Sequence, residues 1–139
     1  MSIEYQITSS LRLVYVEMRK ALSLEELISH LEELAADENY VPPMKKIVDF
    51  TNLKDGPMPR FTAGDFAALE TYYKDRLRGE HCVFVTPSDF RFGMGRLFSG
   101  YMVNANLKVS VVRTLEAALA LLEINEEEFR ACQRVTNHA

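Results

Sequence analysis

Two cysteines, Cys82 and Cys132, are all the sequence holds, fifty positions apart and neither in a Cys-x-x-Cys pair. A disulfide framework and a zinc–thiolate site are thereby excluded, and free thiols fit a reducing compartment. The three histidines, His30, His81 and His138, are scattered, which argues against a metal centre. Long apolar runs are missing: the longest, residues 117–122, falls far short of the ~20 residues that cross a bilayer. Residues 1–6 have neither the basic start nor the apolar run of a secretory signal. Neither sign of charge dominates, since sixteen Lys and Arg against twenty Asp and Glu leave a net −4. Non-specific nucleic-acid binding draws on a basic surface, so no nucleic-acid partner is expected. Tryptophan is absent, and six glycines with five prolines form no low-complexity run or linker. The expectation is a cytoplasmic protein with no membrane span, no metal and no cofactor.

What remains is ordinary globular material. Of 139 residues, 47% are hydrophobic and 26% charged, enough for one domain that buries roughly two thirds of its unfolded surface. Residues 3–7 and 11–16 read as two short strands joined by a Thr8-Ser9-Ser10 turn, too short for anything but an antiparallel hairpin. Ser23 and Glu26 form a capping box ahead of Leu24, Leu27, Ile28, Leu31, Leu34 and Ala35, which share one helical face. His30 falls at the border of that face. That helix must stop before Pro42-Pro43, and residues 44–50 form a third strand.

An irregular stretch, 51–61, follows; connections of that length are more often functional than short ones. Thr62 with Asp65 opens a second helix bearing Phe66, Leu69, Tyr73 and Leu77, which Gly79 is placed to end. Residues 81–86 make a fourth strand, apolar on both faces and hence central. Pro87-Ser88-Asp89 opens a third helix, and residues 107–112 alternate as an edge strand. Thr114 caps a fourth helix, and Asn125 with Glu128 a last one that frays by Thr136. The order ββαβαβαβαα implies a mainly parallel five-stranded sheet with one antiparallel edge strand and flanking helices. Residues 1–124 form the α/β domain, with 125–139 a helix and tail packed on it.

Three segments resemble the SpoIIAA-like, or STAS-type, α/β domains, in their STAS/SEC14-like bacterial branch. They are Met44-Lys45-Lys46-Ile47-Val48-Asp49-Phe50, Val83-Phe84-Val85-Thr86-Pro87-Ser88-Asp89-Phe90-Arg91-Phe92-Gly93-Met94-Gly95-Arg96-Leu97-Phe98, and the stretch from Val109-Ser110-Val111-Val112 through Leu122. With the element order, the likeness covers about residues 3–122. The resemblance implies a non-enzymatic regulatory or protein-interaction module, since the best-known members are anti-sigma-factor antagonists. Related folds bind lipids or other small ligands. The antagonists are switched by phosphorylation at the start of the helix after the third strand. Thr62 is the nearest hydroxyl and so the candidate phosphorylation site. The local Phe61-Thr62-Ala63-Gly64-Asp65 departs from the family's Ser-Ser/Thr-Gly pattern.

Ligands of parallel sheets sit beyond the carboxyl ends of the strands. Thr51, Asn52, Thr62, Ser88, Asp89 and Thr114 should gather there, with Arg60, Arg91 and Arg113 supplying positive charge. Thr62, Ser88 and Asp89 have a plainer use in starting helices. Phe90, Phe92, Met94, Phe98, Tyr101 and Met102 exceed what one helix face can bury; Phe92 lies off the stripe and, with Met58 and Phe61 of the 51–61 loop, is a candidate to line a pocket or a homodimer contact. Two functions follow. The first is a non-catalytic module acting on a protein partner or by self-association. The alternative binds a small amphipathic or lipid-like molecule through the 51–61 loop and the 88–102 helix. No catalytic residue is expected. Gly93-Met94-Gly95 is too far past the strand for a dinucleotide loop and reads as a place of close helix–sheet approach. His81 and Cys82 are strand neighbours pointing to opposite faces, so they cannot pair.

Overall fold

The computed structural model describes residues 3–53, 62–102 and 106–137, apart from the side chains of Phe90, Met94, Leu97, Tyr101 and residues 134–137. Five strands, β1 (Tyr5–Thr8), β2 (Leu13–Glu17), β3 (Lys45–Asp49), β4 (His81–Val85) and β5 (Lys108–Val112), form one sheet in the order β1-β2-β3-β4-β5. The β1–β2 hairpin is antiparallel and the other three pairings are parallel. β5 lies at one edge and β4 lies inside, as their apolar patterns predict. The strand order itself is not contained in those patterns.

The helices are α1 (Leu24–Ala36), α2 (Ala63–Asp75), α3 (Asp89–Tyr101), α4 (Leu115–Leu121) and α5 (Glu126–Asn137). Consecutive parallel neighbours joined by crossovers of one hand put α1, α2 and α3 on the same face. Side-chain alternation serves both faces of the sheet. Val14, Val16, Val48 and Cys82 meet α1 and α2 through Leu31, Leu34, Phe66 and Leu69. Leu13, Ile47, Val83 and Val85 meet α4 and α5 through Ala118, Leu119 and Phe129.

The caps read from the sequence are present. The Ser23 and Thr62 side chains accept from the N–H groups of Glu26 and Asp65, whose carboxylates answer the cap N–H groups. Thr114 accepts from Ala117 N–H, and Asn125 from Glu128 N–H. The strand boundaries differ from expectation by one or two residues at most ends, and two boundary differences have a visible structural setting. β2 begins two residues late, because Ser9–Leu11 form a 3₁₀ turn closed by Arg12 in the left-handed region at φ 50°. α2 stops at Asp75, and Gly79 serves the next turn instead, at φ +73° with its N–H on the Asn106 carbonyl. α5 continues one residue past Thr136.

Gly95 does bring α3 close to the sheet: a Cβ there would meet Val111 Cγ2 at 2.9 Å and Phe84 Cδ2 at 3.3 Å. Gly93 has open space in the corresponding place. Among the described residues, no helix is long and apolar enough to cross a membrane.

Candidate functional site

Between the sheet and the three crossover helices the described residues leave a space. A cavity of about 240 Å³ remains there. Its floor is Val16 of β2, Lys46 and Val48 of β3, and Cys82 and Phe84 of β4. Leu27 and His30 of α1, Phe66, Leu69 and Tyr73 of α2, and Arg91, Gly95 and Phe98 of α3 form the other walls. Phe50, Leu53 and Thr86 lie at the carboxyl end of the strands.

The apolar walls follow from the binary pattern of strands and helices. The polar groups do not, and they collect at two levels. At one, the Lys46 ammonium lies 2.8 Å from His30 Nε2, and each residue is only 2% exposed. Burial, reinforced by the Lys46 charge, pushes the His30 imidazole down to about 2 and keeps it neutral. The ammonium has no acceptor of its own, so it donates to Nε2, and the ring proton sits on Nδ1. That Nδ1 has no partner among the described residues. At the other level, Thr86 Oγ1 is equally buried and has no partner among the described residues. Lys46 stands beside Cys82 in the β3–β4 register, four residues before Thr86, so the two levels are ~13 Å apart along the strands.

Near Lys46 lies a buried carboxyl, Glu80, whose Oε2 accepts from the Tyr40 hydroxyl at 3.0 Å and whose Oε1 has no partner among the described residues. Burial holds it above the ordinary carboxylate range against the pull of Lys46. The Cys82 thiol is pushed up by burial and by Glu80, so it stays protonated. His81 is turned to the opposite face, with Nε2 3.0 Å from Ser110 Oγ, as strand alternation requires.

Of the residues singled out from sequence, Arg91 is at the cavity. Ser88 caps α3, accepting from Arg91 N–H at 3.4 Å. The exposed Asp89 pairs with Arg113 at 2.7 Å, and that guanidinium lies 4.1 Å over the half-buried Phe92 ring. Thr51 turns back on Asp49, donating to its carboxylate from both N–H and hydroxyl. Asn52 is exposed and Thr62 is the cap of α2. Neither Thr51, Asn52, Thr62, Ser88, Asp89 nor Phe92 lines the cavity. Met58, Arg60, Phe61 and the Phe90 side chain lie outside the described residues, and with them most of the apolar patch expected for a protein partner. The exposed large apolar side chains that are described, Val41 and Leu121, lie elsewhere.

Comparison with protein-family models, curated proteins and solved structures gives no match. Three residues of the site were missed from sequence: His30, Lys46 and Thr86. A signal for two of them was present. His30 stands three residues after Leu27 and four before Leu34, inside the apolar stripe rather than at its border. Lys46 alternates with Met44, Val48 and Phe50 on a strand covered on both faces, where an ionisable side chain is costly.

Proposed function

We propose that the chain is a non-catalytic binding protein for a small apolar or amphipathic molecule, held between the sheet and α1–α3. The observation that carries this reading is the 240 Å³ cavity with apolar walls and a few buried polar groups, the usual make-up of a ligand site. Protein interiors rarely keep voids larger than a water molecule. A 150 Å³ apolar cavity holds benzene, so this one suits on the order of ten non-hydrogen atoms.

The inert Cys82 thiol and the neutral His30 favour binding over chemistry. The resemblance to STAS-type domains, whose related folds take up lipids and other small ligands, belongs to the same reading. Organic extracts of the purified protein, analysed by mass spectrometry, are expected to contain a small amphipathic species in near-equimolar amount. A binder present at a hundredfold its Kd adds about 2.7 kcal/mol of stability, which raises the melting temperature of a chain this long by roughly 5–10 °C. Extracts free of any such species, together with no shift from a panel of small alcohols, acids and aromatics, would overturn the reading.

A further inference from the structure

We propose that the ligand is a small monocarboxylate whose carboxylate is received by Lys46, with its hydrocarbon body lying along Val48, Leu69 and Phe84 towards Thr86. This rests on the cavity being a ligand site and names the chemistry of its occupant.

An ammonium removed from water needs a counter-charge or a full set of acceptors. Lys46 has three N–H donors, and the hydrogen bond it makes is to a neutral imidazole nitrogen. No carboxylate of the described residues comes within ion-pair reach of it. Glu80 lies farther off, spends one oxygen on Tyr40, and is not part of the cavity wall. It feels the Lys46 charge from beyond hydrogen-bond distance.

His30 leaves that demand unmet: its Nε2 takes one N–H of the ammonium, and its Nδ1–H points to the far side of the ring. The group that answers the remaining N–H donors of Lys46 carries acceptor oxygens, and the single ammonium asks for a single negative charge. A carboxylate supplies two oxygens and one charge. A phosphate brings more oxygens and more charge than this end can match. Around these groups the wall is hydrocarbon: Leu27, Val48, Leu69, Phe84 and Phe98. The rest of the molecule is therefore an alkyl chain or an aromatic ring.

Octanoate and octan-1-ol differ in the head group while sharing the chain, and both fit the volume. In calorimetric titrations of the parent protein, octanoate is expected to bind about tenfold or more tightly than the alcohol, the usual margin of a charge-assisted hydrogen bond. In Lys46→Met, which keeps the volume and removes the charge, that preference should vanish while octan-1-ol still binds. A second readout needs no variant: the ¹⁵Nζ resonance of Lys46 is expected to move on adding octanoate and to stay in place with octan-1-ol. Equal binding of the two probes, or an unmoved Nζ resonance with octanoate bound, would overturn the carboxylate assignment and leave the apolar binding site standing. Binding of neither probe would count against both.

Discussion

His30 and Glu80 are buried ionisable groups whose surroundings favour the neutral form, and they tie folding to pH in opposite directions. An unfolded histidine titrates at about 6.5, whereas His30 in the fold is pushed down to about 2 by burial and by Lys46. The unfolded chain therefore takes up the proton first. Its contribution to stability is complete above about pH 6.5 and is lost as pH falls through the interval towards 2, by up to about 1.4 kcal/mol per pH unit. His30→Gln, which keeps an acceptor for Lys46 and does not titrate, is expected to flatten the decline between pH 6.5 and 5 in urea unfolding. An unchanged slope would show that His30 is not held neutral.

Glu80 is shifted upward by burial, so its contribution is present at acid pH and lost as pH rises through the carboxylate range. The stability of Glu80→Gln relative to the parent should grow, in the variant's favour, from pH 4 to pH 8. A difference that stays constant, or runs the other way, would contradict the shift.

At the scale of elements, local chemistry was legible and its exceptions have particular causes. The side-chain caps at Ser23, Thr62 and Thr114 stand where the sequence put them, because a cap needs only its own residue and the next turn. The late start of β2 was not legible, since arginine rarely adopts φ 50°. Distant contacts hold Arg12 there, its guanidinium donating to the Val41 and Pro43 carbonyls at 3.2 Å. Two glycines of α3 make a matched test of helix–sheet approach. Gly95→Ala forces a Cβ to 2.9 Å from Val111 and is expected to cost about 1–3 kcal/mol. Gly93→Ala meets open space and should gain up to about 1 kcal/mol from helix propensity. Chemical denaturation of the pair checks the sign: equal effects would mean that α3 does not press on the sheet at Gly95. Gly79→Ala, at φ +73° and 3.2 Å from Pro43 Cβ, should lose about 1–2 kcal/mol.

The architecture of the whole molecule follows from the alternation of strands and helices, which already implied a mainly parallel sheet with one antiparallel edge. The cavity was less legible. Its walls are residues that read individually as ordinary core, such as Leu69 and Phe84, and a space between them is a property of how three helices settle together. The described candidate residues from the carboxyl edge of the sheet belong mostly to caps and surface pairs, and among them Arg91 reaches the cavity. His30 and Lys46 come from the first helix and the third strand, and only the fold brings them to 2.8 Å.

The central claim is that this space exists to be filled, and a crystal structure of the protein with saturating octanoate tests it most directly. The account predicts continuous density between the sheet and α1–α3, with the carboxylate against Lys46 Nζ. Octanoate found only outside an empty cavity, or a core closed tightly over Val48 and Phe84, would contradict it.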